Sequence, residues 1–263
     1  MNVSEYIKKL LSYEEYSFST DELYKKIDKN KIAIKSELSR LIEKQEVVNV
    51  RKGFYIILTP RYSNFKKLPI QLYCDKLFNY LSRDYYLAFY TAAKLHGAGH
   101  QQIQQDYVMT GIPKLNDIHR NSIDIIFLTS SRWPKDNIIN KKSDAGIYKI
   151  SSPALTIADL IQYQNSLGGI NRMLAIIEEL AESMEEQDVV KLMNNYSQKS
   201  TLQRFGFLLD EIGGYEQFSE FIYEKLLTGG FYPVLLNPKS DEKPGAVNNR
   251  WKVDVNIKLD SDL

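Results

Sequence analysis

Apolar side chains recur at helical spacing in three successive stretches at the start of the chain. The first spans Ser4–Leu11. The second begins at Ser19, which together with Glu22 has the pattern of a capping box, and it continues to Ile27. The third spans Lys31–Lys44, and its apolar side consists of Ile34, Leu38, Leu41 and Ile42. The pattern therefore predicts three helices, with a short turn before the third.

The apolar pattern then changes to one that is typical of strands. Glu46–Val50 and Phe54–Leu58 are rich in Val, Ile, Phe and Tyr, and Arg51-Lys52-Gly53 joins them, which predicts a β-hairpin. Three helices followed by a hairpin is the order of a winged helix-turn-helix, in which the hairpin is the wing. Thr59–Pro69 has the composition of a connector, and we place a domain boundary after residue 67.

The rest of the chain has a mixed pattern that is mostly helical. Helices are expected at Tyr73–Leu81, Tyr85–Leu95, Pro153–Tyr163, Ile170–Met184, Gln187–Tyr196, Thr201–Ile212 and Tyr215–Leu227. Strands are expected at Tyr107–Thr110, Ile123–Thr129, Ile147–Ile150 and Trp251–Leu259. The predicted fold class is α+β, with an N-terminal winged helix-turn-helix (residues 1–67) followed by a larger mixed α/β, mostly helical C-terminal domain (residues 68–263).

Composition is that of a soluble globular protein, with 43% hydrophobic and 25% charged residues among 263. No apolar run approaches the roughly 20 residues that span a bilayer, so no membrane partner is expected. The N-terminal residues lack the basic start and apolar core of a secretion signal. Cys74 is the only cysteine, which excludes an internal disulfide, and we expect a cytoplasmic location.

The charge is distributed unevenly along the chain. The net charge of the whole protein is only +1, but residues 1–67 hold 14 Lys and Arg against 9 Asp and Glu, a net charge of +5. The remainder has a net charge of −4. A basic front and an acidic back suggest that any contact with a polyanion is made by the front.

The polar side of the third predicted helix has the residue types of a DNA-reading helix. Arg40 could make a bidentate contact to guanine, with small residues beside it that allow a close approach to base edges. The predicted DNA-binding residues are Lys29, Lys31, Ala33, Ser36, Arg40 and Lys44 on or beside this helix, and Arg51 and Lys52 at the wing tip. The lysines are expected at phosphates, and the wing tip at the backbone or minor groove. The alternative is a solvated polar helix face in a winged helix that binds protein.

The chain lacks the motifs of the common enzyme classes. It has no G-x-S-x-G, G-x-G-x-x-G or phosphate-binding loop, and no Gly-Ser pair such as nucleotidyltransferases use. His96 and His100 have too few companion ligands for a metal site. Asp241-Glu242-Lys243, a nuclease-like triplet, lies between prolines in an expected loop, and Asp260-Ser261-Asp262 lies at the C-terminus. We expect no catalytic residue, no metal and no cofactor.

Four stretches, in their order and spacing, resemble the AbiEi family, the antitoxins of type IV toxin–antitoxin systems. They are the wing Lys52-Gly53-Phe54-Tyr55, the segment Tyr85–Gly97 that ends in Ala92-Ala93-Lys94-Leu95-His96-Gly97, the segment Ser152-Pro153-Ala154-Leu155-Thr156-Ile157-Ala158-Asp159, and Asn249–Asn256. By their residue types alone, His96 could make a helix-end hydrogen bond, Ser152 could be an N-cap, and Asp159 could be a polar residue on a helix face.

The resemblance implies a function with two parts. Such proteins repress their own operon by binding inverted repeats in its promoter through the winged helix. Their C-terminal domain neutralises a nucleotidyltransferase-like toxin, AbiEii, encoded beside them, without a stable complex between the two proteins, and these systems can abort phage infection. We accordingly expect a monomer that binds double-stranded DNA repeats cooperatively.

Two other classes of function remain open from the sequence. One is a nuclease-like enzyme that the winged helix guides to DNA, although no acidic cluster on predicted strands supports it. The other is a winged-helix adaptor that binds only protein.

Overall fold

The structure, a computed structural model, describes residues 1–63, 67–99, 104–120, 123–239 and 243–260. His100 and most of the two acidic triplets, residues 241–242 and 261–262, lie outside this range. The chain forms two compact units, both discontinuous in sequence. The first comprises Met1–Tyr86, Ile103–Arg132 and Asn140–Ile150, and the second comprises Leu87–Gln102, Trp133–Ile139 and Ser151–Leu263. The expected mixed α+β class is confirmed.

The first unit begins with three helices and a small sheet. The elements are α1 (Val3–Leu11), β1 (Ser17–Ser19), α2 (Thr20–Lys26), α3 (Lys31–Glu43), β2 (Val47–Arg51) and β3 (Phe54–Ile57). The sheet has the order β1-β3-β2, and β3 is antiparallel to both neighbours. The predicted helices and hairpin are confirmed. Strand β1 was not predicted, because three residues are too few to show an alternating pattern.

Local capping explains where these helices begin. Ser19 Oγ accepts a hydrogen bond from the backbone N–H of Glu22 at 3.2 Å, and the Glu22 carboxylate accepts one from the N–H of Ser19 at 2.5 Å, so the predicted capping box is confirmed. Asn2 forms a second capping box with Glu5, and Asn30 caps α3. The three helices enclose a core with residues of the sheet, among them Val3, Leu10, Phe18, Leu23, Ile34, Leu38, Val47 and Ile57.

The rest of the chain adds a second sheet and most of the helices. The further helices are α4 (Pro60–Ser63), α5 (Cys74–Tyr80), α6 (Phe89–His96), α7 (Pro153–Gln162), α8 (Gln164–Leu167), α9 (Leu174–Glu182), α10 (Glu186–Asn195), α11 (Lys199–Ile212) and α12 (Glu216–Leu227). Short 3₁₀ helices lie at Ile70–Leu72, Lys135–Asn137 and Asn171–Met173.

The further strands are β4 (Tyr85–Leu87), β5 (Asp106–Gly111), β6 (Ile118–Arg120), β7 (Ile123–Ser130), β8 (Ile138–Ser143), β9 (Gly146–Ser151), β10 (Val234–Leu235) and β11 (Val253–Asp254). Strands β4 to β9 form one sheet with the order β6-β7-β5-β4-β9-β8. Within it, β7 is parallel to β5 and antiparallel to β6. This sheet lies almost entirely in the first unit, together with α1–α3, so the boundary expected after residue 67 lies inside that unit and stays a prediction.

The predicted helix Tyr85–Leu95 is wrong in its first part. Residues 85–87 form strand β4, and α6 begins only at Phe89, whose φ of +53° interrupts the backbone between the two elements. The segment is a nearly continuous apolar run, and such a run does not distinguish a buried strand from a buried helix. All three residues of β4 are buried, which is why a continuous apolar sequence suits them.

The predicted strand Trp251–Leu259 is wrong for most of its length. Only Val253–Asp254 pairs, in parallel with Val234–Leu235. Lys252 has a φ of +52°, which breaks the extended backbone at the start of the run, and Val255 is 47% exposed. The alternation reflects the anchoring of two side chains, Trp251 and Val253, rather than a long ladder.

None of the helices described here is long and apolar enough to cross a lipid bilayer.

Candidate nucleic-acid interface

Helix α3 separates a buried side from a solvent-facing side. Ile34, Leu38 and Leu41 are buried against the core of the first unit. Ile42, predicted to join them, is 36% exposed, because it lies at the edge of the apolar stripe in the last turn of the helix. The opposite side, called here the outer face of α3, consists of the exposed residues Lys31, Ile32, Ala33, Lys35, Ser36, Ser39, Arg40 and Glu43. The predicted residues Lys31, Ala33, Ser36 and Arg40 therefore share one exposed face.

Positive charge dominates the outer face of α3. The first turn of the helix has no acidic residue, and Asn30 caps it by accepting a hydrogen bond from the N–H of Ile32 at 2.8 Å. Lys44, the C-cap residue, is also exposed. Among the described residues, the side chains of Arg40 and Lys44 have no hydrogen-bond or ion-pair partner, so both cations are available to an anionic ligand. Glu43 is the one acidic member of the face.

Two of the predicted lysines have partners within the chain. Lys29 Nζ lies 2.5 Å from Glu37 Oε1, and the Lys31 ammonium lies 5.2 Å from the centre of the Tyr24 ring. Glu37 also accepts a hydrogen bond from the backbone N–H of Val3 at 2.9 Å. The bond from Lys29 and then the one from Val3 lower the pKa of Glu37. A phosphate at Lys29 would therefore compete with an existing ion pair.

The predicted wing tip differs from the expectation at Arg51. Its guanidinium carbon lies 5.6 Å from the centre of the Phe127 ring in β7, and Nη2 donates to the backbone carbonyl of Asn116. Burial, together with the nearby charge of Arg120, lowers the pKa of Arg51. The structure thus places Arg51 against the six-stranded sheet, whereas the sequence suggested a solvent-facing arginine in a turn.

The turn itself is fixed to α5. Tyr80 Oη donates to the carbonyl of Lys52 at 3.0 Å, and a Cβ added to Gly53 would lie 2.6 Å from the same hydroxyl oxygen. Gly53 has a φ of +80°, a conformation that residues with a side chain rarely adopt. The side chain of Lys52 remains exposed. Of the two predicted wing-tip residues, Lys52 alone projects into solvent.

This difference predicts that two neighbouring substitutions change the stability of the protein by different amounts. Arg51→Ala should lower the free energy of unfolding by about 1–2 kcal/mol, because it removes packing on Phe127 and leaves the Asn116 carbonyl without its donor. Lys52→Ala should change it by less than about 0.5 kcal/mol, as is usual for an exposed side chain. Urea unfolding followed by circular dichroism measures both. Equal stability of the two variants would contradict the placement of Arg51.

The second and third AbiEi-like segments contribute hydrogen-bonded polar residues at the beginning of α7 and the end of α6 in the second unit, called here the polar frame. Ser152 caps α7 by accepting a hydrogen bond from the N–H of Leu155 at 3.3 Å, and His96 Nε2 lies 2.7 Å from the Ser151 carbonyl oxygen at the end of α6. Asp159 is only 4% exposed. The pKa of Tyr163 is raised to about 12, first by the burial of Tyr163 itself and second by the negative charge of Asp159. The structural roles inferred for Ser152 and His96 are confirmed.

The same frame includes residues that the sequence did not indicate. Asp188 accepts hydrogen bonds from the N–H of Ala154 at 2.9 Å and from Asn137 Nδ2 at 2.7 Å. It therefore joins the beginning of α7 to α10 and to the 3₁₀ turn at residues 135–137. Asp188 belongs to an acidic stretch and is separated from its partners by more than 30 residues, so no local pattern could have identified this role.

A metal site and a reactive thiol each place specific demands on the titratable residues of the described ranges. Within those ranges, no group of three or more His, Cys, Asp or Glu side chains could hold a metal ion. Cys74 is fully buried, and burial raises the pKa of its thiol to about 12, so the thiolate is disfavoured at neutral pH.

A crystal structure of the RV2827C protein from Mycobacterium tuberculosis has a similar fold, with a TM-score of 0.63, 13% sequence identity, and coverage of 95% of this chain and 89% of that one. At this identity the likeness shows the fold alone. No curated protein sequence matches the chain. Residues 86–211 match the family described as AbiEi antitoxin C-terminal domain, as the resemblance predicted. This protein therefore carries an antitoxin domain of the AbiEi family.

Proposed function

We propose that the chain is the antitoxin of a type IV toxin–antitoxin system and that it represses its own operon through a winged helix-turn-helix at residues 1–67. The single observation that carries the proposal is an AbiEi antitoxin domain at residues 86–211 that follows a helical segment with an exposed basic helix. The antitoxin domain supports the first activity, and α3 supports the second.

The arrangement of the first 57 residues supports the winged-helix interpretation. Helices α2 and α3 follow one another across a short turn, and strand β1, between α1 and α2, pairs with the hairpin strand β3. Helix α3 has 13 residues and is therefore about 20 Å long, which suits a helix that lies in the major groove. Its apolar side is buried, so the outer face is free to meet DNA.

The proposed contacts follow the chemistry of that face. Arg40 is placed to read guanine, with Ser36 and Ala33 allowing a close approach to the bases. Lys31, Lys44 and Lys52 are the phosphate contacts, and Lys29 can join them by leaving Glu37. Arg51 would act indirectly, since its guanidinium holds the hairpin against the six-stranded sheet.

The second part of the proposal concerns the toxin. The antitoxin domain would neutralise a nucleotidyltransferase-like toxin of the AbiEii class encoded beside this gene, in the cytoplasm and without a stable complex. The protein would be a monomer that binds promoter repeats cooperatively, and the pair would act in phage defence by abortive infection. The polar frame around the beginning of α7 would stabilise the fold of this domain and would have no catalytic role.

One variant should separate repression from toxin neutralisation when both are measured in the same strain. We expect Arg40→Ala to lose repression of a reporter fused to the gene's own promoter by at least tenfold, because one base-reading side chain is removed. The same variant should still restore growth when the adjacent toxin gene is induced, because Arg40 lies outside residues 86–211.

Lys191→Ala is the matched control, since it also removes an exposed cation from a helix but lies in α10. It should leave repression unchanged. A wild-type chain that represses nothing would refute the DNA-binding part of the proposal. A wild-type chain that leaves the toxin active would refute the antitoxin part.

A further inference from the structure

The outer face of α3 contains one large apolar side chain that the sequence pattern did not single out. Ile32, the second residue of the helix, is 76% exposed, whereas Ile34 two residues later is 1% exposed. On a helix with 100° between residues, Ile32 lies nearly opposite the buried row of Ile34, Leu38 and Leu41. It therefore adds little to the core and forgoes the roughly 1.5–3 kcal/mol that full burial of such a side chain contributes.

The neighbours of Ile32 leave it prominent. Ala33 is short, and Ser36, one turn further along the same face, is short as well. The longer exposed neighbours, Lys31 and Lys35, are cations with flexible side chains. Ile32 is thus the most prominent apolar group on a face that is otherwise polar and positively charged.

The charge around Ile32 restricts what can cover it. An apolar protein surface would have to bring anionic groups to meet Lys31, Lys35 and Arg40 while still enclosing an isoleucine. The major groove of DNA offers both features together, since phosphates border it and thymine carries a methyl group on its floor. No other base presents an apolar group in that groove.

We propose that Ile32 contacts the 5-methyl group of a thymine in the major groove and so determines part of the operator sequence. This inference rests on the proposed DNA-binding function and adds a residue that reads a base through apolar contact. Arg40, two turns further along α3, would read guanine, so the two residues would favour sites that contain both a thymine and a guanine on the surface that faces this helix.

The test uses DNA that differs only in the thymine methyl group. The 200 base pairs upstream of the gene are amplified once with dTTP and once with dUTP, which removes every thymine methyl outside the primers and retains base pairing and charge. Fluorescence anisotropy then gives the dissociation constant of the full-length protein for each DNA. The variants are Ile32→Ala and, as a matched control, Ile147→Ala, which truncates another exposed isoleucine, on strand β9.

The wild type should bind the uracil-containing DNA roughly tenfold more weakly than the thymine-containing DNA. Ile32→Ala should bind the thymine-containing DNA roughly tenfold more weakly than the wild type and should not distinguish the two DNAs. Ile147→Ala should behave as the wild type does. The uracil-containing DNA can also differ in flexibility, and the comparison of variants removes that effect, because flexibility acts on all of them alike.

Three results would overturn the inference. One is a thymine-to-uracil ratio in Ile32→Ala equal to that of the wild type. Another is a change of oligomeric state in Ile32→Ala without loss of DNA affinity, which would assign the side chain to a contact between two copies. The third is wild-type binding that ignores the methyl group. A wild type that binds neither DNA would refute the proposed function itself. That result differs from the three above, in which the wild type still binds DNA.

Discussion

Replacing Gly206 by alanine is expected to destabilise the second unit strongly, because a Cβ at this glycine meets its nearest neighbour at a shorter distance than at any other glycine of the chain. A Cβ at position 206 in α11 would lie 2.1 Å from Cη2 and Cζ3 of the Trp251 ring, far inside van der Waals contact. Trp251 is 1% exposed, so its ring is enclosed by protein and cannot relieve the clash by turning toward solvent. Glycine at this position therefore allows the ring to pack directly on the helix backbone.

Several contacts hold the Trp251 ring in place. Nε1 donates to Asp210 Oδ2 at 2.7 Å, the ring meets Tyr223 edge-on at 5.5 Å between centroids, and the Arg250 guanidinium lies 4.8 Å from its centre. Relief of the clash would disrupt these contacts together. Overpacking of a core costs about 1–3 kcal/mol and sometimes more. We expect Gly206→Ala to reach or exceed the upper end of that range, about 3 kcal/mol.

Thermal unfolding of the purified protein measures this effect. Gly111→Ala is the matched control, because a Cβ there meets no atom within 4 Å and its φ is not in the left-handed region. The control should unfold at nearly the wild-type temperature, whereas Gly206→Ala should unfold well below it and should fail to neutralise the toxin. In a Trp251→Ala background, Gly206→Ala should cost much less. A Gly206→Ala variant as stable as Gly111→Ala would contradict the packing described here.

The second large effect is expected at Asp210, which fixes the C-terminal segment to α11. Arg250 donates to it through Nε and Nη2, both at 2.9 Å, and Trp251 Nε1 donates at 2.7 Å. Burial acts to raise the pKa of Asp210, but the hydrogen bonds from Arg250, Trp251 and Ser219 outweigh it, and the pKa is lowered. Asp210→Asn should lower the free energy of unfolding at neutral pH by about 1–2 kcal/mol, because it weakens hydrogen bonds to a charged group that is partly exposed and therefore partly screened by solvent.

The direction of the pKa shift fixes the pH dependence. A carboxylate with a lowered pKa stabilises the folded state fully above its unfolded pKa of about 3.9 and loses this contribution as the pH falls through the folded value. The difference between wild type and Asp210→Asn should therefore be constant between about pH 5 and 8 and should shrink below about pH 4. Urea unfolding at a series of pH values measures it.

Glu211→Gln is the control for Asp210→Asn, since Glu211 is the next residue and is exposed. It should unfold as the wild type does at every pH. A difference between wild type and Asp210→Asn that remains the same down to pH 3 would show that the carboxylate charge does not hold Arg250 in the folded protein.

The parts of the fold that the sequence predicted are those specified by local signals. Helices α1–α3 and the β2–β3 hairpin follow from helical periodicity, the capping box at Ser19 and Glu22, and a glycine in the turn. Each of these signals acts within a few residues. The N-cap role of Ser152 belongs to the same kind, since a serine before Pro153 is a local helix start.

The features that the sequence missed depend on distant partners or on exposure. Arg51 turns inward because Phe127 and Asn116, more than 60 residues away, receive it. The strand β4 could not be recognised within an apolar run, because the sheet around it decides between helix and strand. Ile32 is apolar and isoleucine is usually buried, so its residue type points to the core, whereas its position on the helix and its 76% exposure place it on the surface.

The most direct test of the DNA-binding proposal is the affinity of the full-length protein for the DNA upstream of its own gene, measured by fluorescence anisotropy at 50 and 200 mM salt. The four proposed phosphate contacts, Lys29, Lys31, Lys44 and Lys52, imply a loss of affinity of about 100-fold over that range, since each phosphate contact contributes about 0.9 to the slope of log affinity against log salt. We expect this loss, together with at least tenfold weaker binding to a shuffled DNA of the same composition. Equal affinity for both DNAs, or an affinity that does not respond to salt, would contradict the proposal that the outer face of α3 recognises an operator.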